Sequence, residues 1–194
     1  MANPIRLIVG LGNPGPDYSR TRHNAGFWFL DALLRAHSGR LSFEKKLNAE
    51  MGRVLIDGQE IWLLKPSSFM NVSGQPVGAA MRYFKFEREQ LLVAYDELDL
   101  PPGQARLKFD GGHGGHNGMR DIFAHGDSSA FHRLRLGIGH PGRRELVTPW
   151  VLGRPNVDDE RAIQHAIERA LSVIPDYIGG AQERAMLNLH TPTP

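Results

Sequence analysis

A chain of 194 residues, 41% apolar and 23% charged, has the composition of one ordinary globular domain with a substantial core. The lack of cysteine excludes disulfides, thiolate metal centres and cysteine nucleophiles, and no apolar run is long enough to span a bilayer. The formal net charge of +2 excludes a strongly polyionic protein, and with no basic-then-apolar leader the expected location is the cytoplasm.

In chain order, "IRLIVGL" (residues 5–11) predicts a short buried strand ended by glycines. "AGFWFLDALLRA" (residues 25–36) predicts a largely buried helix, with Asn24 as its N-cap and Gly39 as its stop. "EMGRVLIDGQEIWLLKP" predicts two strands joined in a hairpin at Asp57-Gly58, and "VGAAMRYFKF" an amphipathic helix. "LLVAYDELDL" (residues 91–100) predicts an apolar strand that runs into carboxylates, stopped by Pro101-Pro102. "QARLKF" and "FHRLRLGIG" alternate as half-buried strands, and between them a glycine-rich run, residues 111–118, leads to a short helix at residues 119–124. A long amphipathic helix starts at Val157, with acids in its first turn, and Pro175 is expected to end or kink it; a second short helix covers residues 181–189. Interspersed strands and helices, with no linker or repeat, predict one α/β domain over residues 1–194 built on a mixed sheet.

Gly10, Gly12 and Gly15 have the G-x-G-x-x-G spacing of a dinucleotide site. That chemistry needs a helix to start in the glycine turn, so that its amides meet a pyrophosphate. Pro14 and Pro16 flank the last glycine and the next helix starts only near Asn24, so the nucleotide reading fails. What remains is a polar loop at a strand end carrying Asn13, Tyr18, Arg20, Arg22, His23 and Asn24. Three other segments also end or open apolar elements: "SFMNVSG" with Phe69, Met70 and Asn71, "YDELD" with Asp96, Glu97 and Asp99, and "GGHGGHNG" with His113, His116 and Asn117. Brought to one cleft, they supply a histidine base for water, a carboxylate to orient it and asparagine amides for an oxyanion. A helix N-terminus lowers the pKa of His23 and a carboxylate raises it, so the two are expected to balance near neutrality.

Residues 104–145 hold seven Lys/Arg against four acids, and residues 156–184 six acids against three arginines. In alternating strands Arg106 shares a face with Lys108, and Arg133 with Arg135, a cationic platform suited to phosphate if the strands are neighbours.

Six motifs, "GLGNPGPDYSRTRHNAGF", "FMNVSG", "DELDLPPG", "GGHGGHNG", "RLRLGIGHPG" and "VLGRP", resemble those of bacterial peptidyl-tRNA hydrolases in order and spacing. The resemblance implies a monomeric α/β fold, a twisted mixed sheet surrounded by helices. It implies cleavage of the ester joining a peptide to the 3′ end of tRNA, which recycles tRNA from aborted translation without cofactor or metal. By motif, His23 is similar to the catalytic base, Asp96 to its orienting carboxylate, and Asn13 to the residue that separates N-blocked from free aminoacyl-tRNA. Asn71 is placed at the oxyanion. Tyr18, Phe69, Asn71 and Asn117 look like substrate contacts, with Met70 and His116 lining the same cleft. Lys108 and Arg135 are similar to the pair that grips the 5′-phosphate. The implied partners are the peptide, the CCA end and the acceptor stem, with no membrane. Met119 stands where the family pattern has leucine, Arg154-Pro155 where Lys-Phe or Lys-Pro is usual, and the tail "LHTPTP" lacks a basic extension. Two readings from other classes stand beside it: a non-catalytic RNA-binding module on the basic strands, and a metal-dependent hydrolase through His113 and His116.

Overall fold

Ile8 and its neighbours alternate between two apolar layers, so the strand β1 (Leu7–Gly10) is buried on both faces and reads as one continuous apolar run. The computed structural model describes residues 4–193. In it β1 lies inside a seven-stranded sheet of order β2-β3-β4-β1-β5-β7-β6, formed with β2 (Ser42–Glu44), β3 (Ala49–Ile56), β4 (Gln59–Pro66), β5 (Leu91–Glu97), β6 (Ala105–Phe109) and β7 (His132–Gly137). β4, β1, β5 and β7 run parallel, and antiparallel strands close both sides, as a mixed sheet was expected to do.

Among the described residues six α-helices accompany the sheet: α1 (Ala25–Ala36), α2 (Gly74–Phe84), α3 (Asn117–Ala124), α4 (Val147–Val151), α5 (Val157–Ile178) and α6 (Gln182–His190). One core layer joins Ile5, Ile8 and Leu92 to α1, α5 and α6; the other joins Leu7, Val9 and Val93 to α2 and α3. No helix among the described residues is long and apolar enough to cross a membrane.

The hairpin forms at Asp57-Gly58, where both residues take positive φ (49° and 78°), the geometry that matches the twist of paired strands. Other expectations are corrected. α5 does not end at Pro175, because proline removes one donor only and the burial of Ile174, Tyr177 and Ile178 carries the helix on. Gly39 does not supply the turn after α1: Ser38 does, at φ 53°, while Gly39 sits where a Cβ would meet Val54 Cγ1 at 2.5 Å. α3 starts two residues earlier than expected, at Asn117, because His116 caps it by accepting from the Met119 N–H. β2 and α4 have no counterpart in the sequence reading, being only three and five residues long.

Gly26, in the first turn of α1, fixes how closely that helix approaches the sheet. A Cβ there would lie 2.3 Å from the Ala94 carbonyl oxygen and 2.6 Å from that of Leu11. Both contacts are rigid backbone, one in the middle of β5 and one just past the end of β1. Gly26→Ala is therefore expected to lower stability by about 1–3 kcal/mol through overpacking, read as a lower midpoint of thermal unfolding. An unchanged midpoint would show that the helix can withdraw freely.

Candidate active site

The parallel strand β1 ends opposite Ala94, with the Leu11 N–H donating to the Ala94 carbonyl at 3.0 Å, and β5 runs three residues further to Glu97. The loop after β1 returns through a short 3₁₀ turn, Arg22–Asn24, directly before α1. Arg22 fastens this turn from behind. Its N–H donates to the Gly153 carbonyl at 3.0 Å, its Nη1 donates to the Trp150 carbonyl at 3.0 Å, and its guanidinium lies 3.5 Å over the Trp150 ring. With its neighbours fixed, the buried His23 faces the end of β5.

There Asp96 is buried and bridges two imidazoles. His23 Nδ1 donates to Oδ2 at 2.8 Å, and His116 Nε2 donates to Oδ1 at 2.8 Å. The ring centroids of the two histidines are 5.0 Å apart. Burial alone pushes the Asp96 carboxyl up, but the two imidazoles outweigh it by charge and hydrogen bonding and hold it far below the usual carboxylate range. An ionised carboxylate only accepts, so both facing ring nitrogens carry hydrogen.

The histidines then differ. His116 Nδ1 already accepts from the Met119 N–H at 3.3 Å, so both its nitrogens are engaged. Nε2 of His23 has no partner among the described residues and is left with a lone pair when the ring is neutral. Burial pushes the His23 pKa down, and the charge and hydrogen bond of Asp96 together outweigh it, so the net direction is up from 6.5. The opposing pushes are present as expected, but the lowering comes from burial rather than from a helix end, and the carboxylate prevails.

Asn13 is fixed at three points. Asn24 clasps its backbone, with Oδ1 accepting from the Asn13 N–H at 2.9 Å and Nδ2 donating to its carbonyl at 3.0 Å. That is why Asn24 does not cap α1 with its side chain, as the sequence suggested. The Met70 N–H donates to Asn13 Oδ1 at 2.7 Å, which orients the amide and leaves Nδ2 as the available donor. Met70 is buried against Gly118 of α3, while Asn71 and Phe69 beside it are exposed. The Phe69 ring meets Tyr18 edge-on with centroids 6.1 Å apart. Asn117 opens α3, its Oδ1 accepting from Arg120 Nη1 at 3.1 Å. Contacts thus join the four loops of the sequence reading: His23 and His116 meet at Asp96, Asn13 meets Met70, Tyr18 meets Phe69 and Met70 meets Gly118, while Asn71 makes no side-chain hydrogen bond among the described residues.

The metal pair His113 and His116 is not formed. His113 Nδ1 accepts from the Gly115 N–H at 3.0 Å, and His116 turns to Asp96 instead. His23, Asp96 and His116 do offer donor atoms within 4.8 Å of one another, and these are the atoms joined in the two N–H···O bonds.

The basic strands are neighbours, with Arg106 opposite Arg135 and Lys108 opposite Arg133 across β6 and β7. The platform is smaller than the alternation suggested, because Arg133 is buried and committed. It donates to the carbonyls of Gly111, Gly112 and Ser129 and so holds the glycine loop that delivers His116. Lys108 is exposed, and Arg135 is paired with Glu97. Sequence reasoning named Asn24, Arg133 and Glu97 but not what they do: Asn24 clasps Asn13, Arg133 holds the glycine loop and Glu97 pairs with Arg135.

A family profile described as "Peptidyl-tRNA hydrolase" matches residues 7–193. A curated peptidyl-tRNA hydrolase of Xanthomonas campestris pv. campestris is 55% identical over 188 residues, covering 97% of each chain. One from Stenotrophomonas maltophilia is 55% identical over 188 residues, covering 97% of this chain and 98% of its own. The crystal structure of peptidyl-tRNA hydrolase from Acinetobacter baumannii superposes with a TM-score of 0.94 at 45% identity, over 98% of this chain and 96% of that one.

Proposed function

The chain belongs to the peptidyl-tRNA hydrolase family and hydrolyses the ester between peptide and tRNA; from that premise we propose that His23, oriented by Asp96, is the general base of the reaction. The observation that carries this is the asymmetry of the two histidines on one carboxylate. Both nitrogens of His116 already have hydrogen-bond partners, whereas Nε2 of His23 has none among the described residues.

In this reading neutral His23 takes a proton from water at Nε2, and the oxygen attacks the ester carbonyl carbon. Asp96 stabilises the imidazolium that forms, as the orienting carboxylate of a hydrolase triad does. The Asn71 amide donates to the oxyanion. The carbon–oxygen bond to the terminal ribose then breaks, and the imidazolium returns its proton to the leaving oxygen. Asn13 Nδ2 donates to the carbonyl that blocks the substrate's α-nitrogen. Tyr18, Phe69 and Asn117 hold the substrate over a floor of Met70 and His116, and Lys108 and Arg135 grip the 5′-phosphate. The likeness of the motifs to the family supports a monomer, and a tRNA substrate supports work in the cytoplasm.

The experiment is release of tRNA from an N-acetylated aminoacyl-tRNA beside the unblocked form, with chelator throughout. Cleavage of the blocked substrate alone is expected. Chelator-sensitive cleavage would contradict the metal-free base. Binding without cleavage would revive the RNA-binding module, which the family membership does not favour.

The pH profile gives a second expectation. His23 acts only when neutral, and its pKa is raised, so kcat/KM falls with acid through an inflection above 6.5. Asp96→Asn removes the raising charge and leaves the burial that lowers. The acid limb then moves to lower pH, while the plateau drops by up to about 10⁴-fold as the ring loses its orientation. An acid limb that stays in place in Asp96→Asn would show that another group controls it.

A further inference from the structure

Arg135 is held on one side only. Its Nε donates to Glu97 Oε1 at 2.8 Å and its Nη2 lies 2.8 Å from the same oxygen as an ion pair, while the other Glu97 oxygen accepts from the Asp99 N–H at 3.4 Å. A guanidinium carries five N–H donors in a fixed plane, so engaging the Nε side leaves the Nη1 end, which has no partner among the described residues. The pair is mostly shielded, with side-chain exposure of 21% for Arg135 and 13% for Glu97, so the arrangement is not a loose surface contact. Glu97 also directly follows Asp96 on β5. The same strand end therefore holds the catalytic histidine with one carboxylate and Arg135 with the next.

We propose that Glu97 is a positioning residue for the phosphate grip: it holds one edge of Arg135 so that the opposite edge meets the terminal phosphate of the tRNA, with Lys108 supplied by the neighbouring strand β6. Its place next to Asp96 sets that grip at a fixed separation from the ester. The inference rests on the reading of Lys108 and Arg135 above. A carboxylate beside an arginine can also compete with phosphate, and the two roles predict opposite signs. Positioning means that loss of Glu97 weakens recognition of the phosphate; competition means that it strengthens it.

The test compares N-acetylated aminoacyl-tRNA bearing a 5′-phosphate with the same substrate bearing a 5′-hydroxyl, scored as the ratio of their kcat/KM values. Glu97→Ala is expected to reduce this preference by about three- to tenfold, through KM rather than kcat, the scale of a charge-assisted bond made less well. Glu97→Gln keeps an acceptor oxygen and stays near the wild-type ratio. Glu97→Asp keeps the charge but withdraws the oxygen by one methylene, and gives a smaller reduction that decides the matter even if the alanine variant does not fold. A purely structural role would slow both substrates alike and leave the ratio in place, which overturns the inference. A ratio that rises in Glu97→Ala overturns it in favour of competition. Arg135→Ala separates the parent reading: if it and the wild type both ignore the 5′-phosphate, the grip itself is wrong.

Discussion

His23→Ala lowers kcat by about 10²–10⁴-fold with KM little changed, the contribution of a positioned general base. The loss is expected on kcat because the proposed base acts on water and on the leaving oxygen, not on the groups that bind tRNA. No neighbour can take over. His116 is the nearest imidazole, yet its Nδ1 accepts from the Met119 N–H and its Nε2 donates to Asp96. Asp96 is buried and held ionised far below neutral pH, so it has no proton to exchange in the working range. His116→Ala is expected to cost less, because it removes a holder of Asp96 rather than the base. Single-turnover rates on N-acetylated aminoacyl-tRNA check both. A His23→Ala enzyme within tenfold of wild type would remove the histidine from the mechanism.

Asn13→Asp abolishes the distinction between blocked and free aminoacyl-tRNA. The substitution is nearly isosteric: one oxygen still accepts from the Met70 N–H, and Asn24 still clasps the backbone. What changes is the outward group, from an N–H donor to a carboxylate acceptor. A peptidyl substrate offers a carbonyl at its blocked nitrogen, which needs the donor. A free aminoacyl substrate offers an ammonium, which can only donate and so finds no partner in the wild-type site. Sites that recognise a group by hydrogen bonding reject the unmatched analogue by roughly 10⁴–10⁵. Reversing the donor therefore brings the ratio of kcat/KM for the two substrates toward parity, and Asn13→Ala falls between. A wild-type ratio in Asn13→Asp would mean that selection lies elsewhere.

The residues proposed to carry the chemistry stand out in the sequence where polar side chains interrupt apolar runs. His23, Asp96 and Asn71 sit at strand ends or helix starts, and such positions face a common edge in a parallel sheet. The hairpin was legible because Asp57-Gly58 accepts positive φ. Functions set by partners distant in sequence were not. Asn24 has the residue type of an N-cap and lies in the right place, but its amide is taken by Asn13, eleven residues before it. Arg133 alternates like a surface cation, yet the glycine loop folds over it and turns it into a buried clamp. The H-x-x-H spacing suggested a shared ligand, but His116 caps α3, which points its ring away from His113 and toward Asp96. Pro175 marks a helix end by local rule, and burial of the next turn overrides it.

The central claim is that Asp96 leaves His23 with a basic Nε2. Nitrogen-15 NMR of the labelled protein reads this directly, following His23 through a pH titration and using His23→Ala to assign its signals. The account predicts a neutral ring protonated at Nδ1, with a titration midpoint above 6.5 that falls in Asp96→Asn. A neutral ring protonated at Nε2, or a midpoint indifferent to Asp96, would contradict it.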